Sequence, residues 1–447
     1  MEVESVIPKQ IITDQLEKEL ISSLCRFIIH YRPSSRHCFA DFDDTTSEYH
    51  SSVMAAKKSR TNLKNLDLFK LPPSKKSRKE RKKKSDVAAS GEVLDEEIWK
   101  EFPEVLFEAV IARLPIDAFF RARIVCRKWN SLLESPSFAQ QCSEVQREWP
   151  WFYTATYANS GALYDPSSKR WYNRPCISTF PQQMILLSIA SAGGILCFIE
   201  TVDMNFFVCN PFTGSNRCLP ARTGSFQSQI AVGMTMNSRS GVYKIVWLGS
   251  NGEYGVYDSE RNSWIQTGSM PPDIRLPLFL NSRSQAVSIG NNMYFMRSNP
   301  DGIVSYNTSS GLWTQLMIPL PPHLSDHTLA ECDRRIILAG LLTKNAATCV
   351  CIWELQRMTL LWKEVDRMPN SLCLEFYGKV VRMACLGNRG LLMLSLKSGQ
   401  MNRLVTYDVA RREWEKQPGC ALPRDGRRKR QLLALGTAFY PSLTAKA

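Results

Sequence analysis

From Trp151 onward one pattern returns at an interval of about fifty residues, and it limits the fold more than any other feature of the chain. A short aromatic or β-branched strand ends in a turn carrying Asp or Asn, and a second strand opens near a Trp. The instances are Tyr164-Asp165 before Trp171, Cys209-Asn210 before Cys218, Tyr257-Asp258 before Trp264, Tyr306-Asn307 before Trp313, Trp353-Glu354 before Trp362, and Tyr407-Asp408 before Trp414. The first residues of these pairs lie 45, 48, 49, 47 and 54 positions apart. Further strand candidates precede five of the pairs, at 193–198, 243–247, 293–296, 335–338 and 391–394, which makes four strands per unit. One such unit cannot bury its sheet alone, so neighbours must stack, and a period near fifty predicts blades of a propeller. We therefore expect an all-β, six-bladed propeller over 150–442. Trp171, Trp264, Trp313, Trp362 and Trp414 are its blade-packing anchors, each placed to cover the next sheet. The first unit lacks an opening strand, and the apolar stretch 432–440 is placed to supply it, closing the ring and removing its exposed edges. Loops at 216–229, 270–284 and 319–326, rich in Pro, Ser, Gly or charge, are the expected contact surfaces for another protein.

Residues 97–143 follow a helical grammar instead. Pro103 suits a first helical turn, and Leu106, Phe107, Val110, Ile111 and Leu114 share one broad face before Pro115 stops it. A second group, from Phe119 and Phe120 through Ile124, Val125, Trp129, Leu132 and Leu133, keeps the same spacing until Ser135-Pro136. About 45 residues with so many apolar positions cannot bury them all internally. Part of this module is expected to face a partner.

Residues 1–96 hold most of the charge. The chain has 56 Lys and Arg against 42 Asp and Glu, yet 57–84 alone has thirteen basic residues against Asp67 and Glu80, a net of +11. Self-repulsion and little apolar area predict disorder there, apart from a short amphipathic helix on Leu16, Leu20, Leu24 and Ile28. Lys75, Lys76, Arg78, Lys79, Arg81, Lys82, Lys83 and Lys84 read as a nuclear-localisation candidate for an importin, with a solubilising linker or nucleic-acid contact as alternatives. The run lacks the interleaved aromatics that base stacking needs. No apolar run approaches the roughly 18–20 residues of a membrane helix. The start of the chain, with Glu2 and Glu4, lacks the pattern of a secretion signal. Fourteen irregularly spaced cysteines read as reduced thiols in an intracellular protein.

The helical block resembles an F-box through Phe102-Pro103-Glu104-Val105-Leu106, Ile111-Ala112-Arg113-Leu114-Pro115, and the run from Arg123 through Val125-Cys126-Arg127-Lys128-Trp129 to Leu132. Phe102 stands where the family usually has Leu. With the repeats behind it, the chain is similar to plant F-box/kelch-repeat proteins, and longer stretches at 302–306, 327–331 and 362–369 carry the likeness to one developmental member. The kelch double glycine is clear at Gly193-Gly194 and replaced by Gly290-Asn291, Asp333-Arg334 and Gly387-Asn388. The resemblance implies a substrate-recognition subunit of an SCF-type ubiquitin ligase, found in the nucleus and also the cytoplasm. Its adaptor subunit, and through it cullin and RING subunits, would meet Pro103, Leu106, Leu114, Pro115, Val125, Cys126 and Trp129, while an unknown protein substrate sits on the propeller loops.

Competing readings are a non-ligase nuclear or nucleic-acid-associated scaffold and a propeller enzyme. His323 and His327 recur four apart, but Pro321-Pro322 argues against the helix that metal spacing assumes. Cys349 and Cys351 share one face of a strand without two further soft ligands in the nearby sequence, and Cys126 has no base beside it. No catalytic, metal or cofactor site is expected. Such a protein contributes by raising the effective concentration of a substrate near the ubiquitin carrier.

Overall fold

The computed structural model describes residues 104–145, 149–156, 161–173, 186–200, 202–222, 230–280, 285–385, 389–399, 401–419 and 432–447. The basic run, the amphipathic helix, Pro103 and parts of the loops 216–229 and 270–284 lie outside them. The chain divides into two compact units, 1–146 and 147–447.

The first unit is helical. Helix α1 (Glu104–Arg113) ends before Pro115, which opens α2 (Ile116–Ala122). The expected second helix is not continuous: Cys126 adopts an extended conformation, φ −152° and ψ 168°, and starts the short α3 (Arg127–Ser131) afresh. A 3-10 turn (Leu132–Glu134) leads into α4 (Pro136–Glu144), whose first turn is capped by Ser135 accepting from Phe138 N. The Ser135 hydroxyl also donates to the buried Glu108 carboxylate at 2.9 Å, tying α4 to α1. Ile111, Leu114, Phe119 and Phe138 are fully enclosed, and the Phe119 and Phe138 rings stack at 5.6 Å.

The second unit is a six-bladed propeller. Strands β1 (Trp151–Thr156), β2 (Gly161–Asp165) and β3 (Arg170–Asn173) belong to blade 1. Blade 2 takes β4 (Leu186–Ala192), β5 (Ile195–Glu200), β6 (Phe206–Cys209) and β7 (Asn216–Cys218). Blade 3 takes β8 (Ile230–Met236), β9 (Tyr243–Gly249), β10 (Glu253–Asp258) and β11 (Ser263–Ser269). In blade 4, β12 (Phe279–Leu280) and β13 (Val287–Ile289) both pair with β14 (Asn292–Ser298), followed by β15 (Gly302–Asn307) and β16 (Trp313–Met317). Blade 5 holds β17 (Leu324–Cys332), β18 (Arg335–Lys344), β19 (Ala347–Gln356) and β20 (Leu361–Arg367). Blade 6 holds β21 (Arg382–Cys385), β22 (Leu391–Ser398), β23 (Met401–Asp408) and β24 (Glu413–Gln417). The last strand, β25 (Leu432–Phe439), pairs antiparallel with β1, Trp151 opposite Phe439, and becomes the innermost strand of blade 1. The inner strands β25, β4, β8, β13, β17 and β21 each touch the next around the full circle. Apolar cores fill the spaces between adjacent sheets, such as the cluster of Ile337, Ile352, Leu394 and Val405 between blades 5 and 6.

The repeat has a physical basis. Asp165, Asn210, Asp258, Asn307 and Asp408 each accept backbone N–H bonds from residues two or three further on, as with Ser309 N and Ser310 N to Asn307 at 3.0 and 2.9 Å. The paired aromatics pack across the hairpin: Tyr164 with Trp171 at 4.9 Å, Tyr306 with Trp313 at 4.7 Å, Tyr407 with Trp414 at 4.4 Å. Each Trp covers the preceding blade and not the following one. Trp264 Nε1 donates to Pro220 O at 2.9 Å, Trp171 Nε1 to Pro418 O at 2.9 Å, and Trp414 Nε1 to Asp366 at 3.1 Å. The Tyr306 hydroxyl likewise reaches back to Gln266 at 2.8 Å. Blade 5 departs from the sequence reading: the residue opposite Trp362 is Leu355, two beyond Trp353. In blade 6 the left-handed pair just before β22 is Arg389-Gly390, with φ of +74° and +82°; Gly387-Asn388 lies outside the described residues.

Candidate partner-binding surfaces

Because every blade is antiparallel, its turns alternate between the two ends of the ring. Turns from the second to the third strand share one face with the connections between blades. Backbone bonds knit these together: Leu278 N to Ser250 O at 2.7 Å, Ile318 N to Asp301 O at 3.3 Å, and Gly378 N to Ala346 O at 2.9 Å. The chain enters at Trp151 and leaves after Phe439 on the opposite face. Among the described residues, Val202, Leu276, Phe279, Leu374, Tyr377 and Val380 are exposed on the inter-blade face, against Leu312, Met358 and Leu361 on the other. That bias marks the inter-blade face as the better apolar contact surface.

Its most prominent part is the connection 368–381 between blades 5 and 6. Pro369 opens a helical turn, α5 (Asn370–Cys373), which runs into a 3-10 turn (Leu374–Phe376). Phe376 is buried and anchors the loop in the core between the two blades. The Glu375 carboxylate accepts from Arg403 Nε at 2.6 Å and Lys416 Nζ at 2.7 Å. These two cations hold its pKa down at about 2. With its base fixed, the loop presents Leu374 (71% exposed), Tyr377 (65%) and Val380 (87%) to solvent.

Toward the opposite face the ring axis holds a cavity of about 370 Å³, including its open mouth, lined by Ser191, Gln285, Ser288, Glu331 and Arg389 with Ala190, Met234 and Ala286. Its walls are joined by side chains. Arg389 donates to Ser191 O at 3.0 Å, Ser191 Oγ to Ala438 O at 2.6 Å, and Thr437 Oγ1 meets Gln285 Oε1 at 3.1 Å. Burial lowers the Arg389 pKa while the Glu331 charge opposes the shift. The network spends its polar groups on holding the inner strands together.

In the helical unit, the described sequence-predicted contact residues differ in accessibility. Leu106 is 53% exposed; Pro115 and Cys126 are exposed; Val125 and Trp129 are half-buried; Leu114 is fully enclosed. The Trp129 ring lies 5.3 Å from that of Phe107, which joins α3 to α1. Ile124, 68% exposed, is an apolar surface residue that the sequence-derived contact set omits. It sits in the turn before Cys126, where helical spacing gives no indication of its direction.

An F-box domain model matches residues 99–141, and an F-box associated beta propeller domain model matches residues 159–406. The chain belongs to the F-box proteins with an F-box-associated β-propeller. F-box only protein 6 of Arabidopsis thaliana is 51% identical over 432 residues, covering 94% of this chain and 92% of its own length. Protein UNUSUAL FLORAL ORGANS of the same plant is 26% identical over 376 residues, covering 76% and 83%. F-box only protein 13, also from Arabidopsis thaliana, is 26% identical over 400 residues, covering 77% and 86%. An F-box joined to a propeller is the general architecture of a substrate-recognition adaptor in an SCF-like ubiquitin ligase complex.

Within this F-box protein, no group of three or more His, Cys, Asp or Glu among the described residues has the geometry to hold a metal ion. His323 lies in a turn at φ +67°, and His327 lies on β17, where burial lowers its pKa against the opposing charges of Asp301 and Asp326. No helix among the described residues is long and apolar enough to cross a membrane. The loop 368–381 was not among the sequence-derived surfaces. Its signal is the run Leu372-Cys373-Leu374-Glu375-Phe376-Tyr377, which alternates no more regularly than a strand and was hidden among them.

Proposed function

We propose that this F-box protein is the substrate-recognition subunit of an SCF-type ubiquitin ligase and marks its client for degradation. Its helical module would bind the adaptor subunit, and through it cullin and RING subunits, by Leu106, Pro115, Ile124 and Cys126, with Trp129 and Val125 at the edge. Leu114 supports that surface from inside, and Pro103 precedes the described part of α1. The client would dock on the inter-blade face, centred on Leu374, Tyr377 and Val380. Burying such side chains gains about 1.5–3 kcal/mol each for the larger ones, enough for a few anchors to dominate a contact. The covalent step belongs to the rest of the complex, so the chain needs no catalytic residue.

The observation carrying this reading is an F-box with large apolar side chains left in solvent, followed on the same chain by a propeller whose exposed apolar residues favour one face. Stretches at 302–306, 327–331 and 362–369 resemble the leaf-curling-responsiveness F-box protein. Relatives include proteins named F-box/kelch-repeat, UNUSUAL FLORAL ORGANS and ABERRANT PANICLE ORGANIZATION 1, which supports a role in plant development. The basic run 75–84 supports nuclear import through an importin.

The test is binding of purified adaptor subunit to the full chain and to a Leu106→Asp/Ile124→Asp variant. Both side chains are exposed, so melting should be unchanged while binding weakens at least tenfold. Equal binding by a folded variant overturns the assigned surface.

A further inference from the structure

Three thiols meet beneath the 369–381 loop. Cys349 and Cys351 lie on one face of β19, and α5 brings Cys373 up to Cys349. The Cys349 sulfur thus has both other thiols as close polar neighbours. Cys349 and Cys373 also share one acceptor, the Met368 carbonyl, at 3.6 and 3.3 Å, where β20 has ended and that oxygen has left the ladder. Arg367 adds a nearby positive charge. Cys351 is fully buried, whereas Cys349 and Cys373 are both partly open to solvent.

We propose that Cys349 and Cys373 are a peroxide-sensing pair, joined into a disulfide by a hydroperoxide, and that the bond fixes the client-docking loop to blade 5. The consequence for docking rests on the function proposed above; the thiol chemistry does not. The two neighbouring thiols and the Arg367 charge favour ionisation of Cys349 and disfavour that of its partners, so of the three sulfurs Cys349 is the one that gives up its proton first and reacts as the thiolate. That thiolate attacks the outer oxygen of the hydroperoxide. The O–O bond breaks, the alkoxide or hydroxide takes a proton and leaves, and Cys349 becomes a sulfenic acid. The Cys373 sulfur then attacks the Cys349 sulfur, the S–O bond breaks, and water leaves. Two thiols have lost two electrons, and one hydroperoxide has become an alcohol, or water, plus water.

Cys373 is the resolving partner by geometry. Residues two apart on an extended strand have Cα atoms near the upper limit of disulfide reach, roughly 6.8 Å, and their side chains run parallel. Cys373 approaches from another element, and its thiol and that of Cys349 reach the same carbonyl oxygen, which brings the two side chains together end to end.

The experiment treats the full-length protein with hydrogen peroxide, blocks remaining thiols, and maps linked peptides by mass spectrometry. A Cys349–Cys373 link is expected, and Cys373→Ser should accumulate instead a dimedone-trapped sulfenic acid at Cys349. In the untreated protein at pH 7, Cys349 should react with iodoacetamide severalfold faster than the exposed Cys126 and Cys218. Oxidised protein should show slower amide exchange in 369–381. Cys349 oxidising no sooner than Cys126 and Cys218, or linking to Cys351, overturns the sensing pair; a formed bond with unchanged loop exchange overturns the locking. Neither readout involves a client, so loss of client binding by loop variants alone bears on the proposed function and not on this pair.

Discussion

Arg389 occupies a left-handed position, φ +74°, that glycine takes at Gly193 in blade 2, and it spends that strain on a hydrogen bond across the ring to Ser191 O. Arg389→Gly and Arg389→Ala both lose the guanidinium, but only Ala keeps a Cβ in the left-handed region. The Gly variant should be the more stable of the two by about 1 kcal/mol in denaturant unfolding. Residue chemistry also explains what sequence reading reaches. The Asp and Asn turns and the Tyr–Trp pairs are local, so five of six units were legible from spacing. Blade 5 misled because Trp353 looks like the anchor while the hairpin is set by Leu355 opposite Trp362. Leu106 lies on α1 and Leu114 just past its end; both are leucines at the same apolar spacing, and nothing local says that the first faces water and the second is sealed inside. Ile124 escaped for the same reason, since the break at Cys126 decides where it points.

At the level of elements, the 368–381 connection and the closing strand lend themselves to measurement. Glu375 binds Arg403 and Lys416 more tightly as a carboxylate, which is why its pKa falls from 4.5 to about 2. A depressed acid contributes stability above its unfolded pKa and loses it as pH falls toward its folded one. Protection of amides 374–378 should therefore hold at pH 5 and decline between about 4.5 and 2; Glu375→Gln should reproduce the decline at neutral pH, read by hydrogen exchange. The strand β25 makes a larger contribution because it supplies the inner wall of blade 1 and removes the open edge of β1. Deleting 432–447 should abolish the cooperative melting of the ring. Gly436→Ala is the milder form, since a Cβ there collides with the Tyr153 carbonyl, and it should lower the melting temperature without removing the strand. The closing strand was legible as the missing piece of an incomplete first unit; the exposed 368–381 loop was not, because exposure of Leu374, Tyr377 and Val380 is created by Phe376 and Glu375 holding the turn down.

For the whole molecule, the proposed function divides the work between the two units. On that proposal the F-box would present its exposed apolar side chains to an adaptor and the propeller its inter-blade face to a client, so each surface should fail alone. The measurement that tests this most directly is affinity capture in cells of three folded forms: wild type, Leu106→Asp/Ile124→Asp, and Leu374→Ser/Tyr377→Ser/Val380→Ser. Adaptor and cullin should be recovered with wild type and the loop variant and lost with the F-box variant, while proteins that gain ubiquitin with wild type should be recovered with wild type and the F-box variant and lost with the loop variant. Loss of both sets from either variant, or retention of the same clients by the loop variant, would contradict a division of labour between the two surfaces.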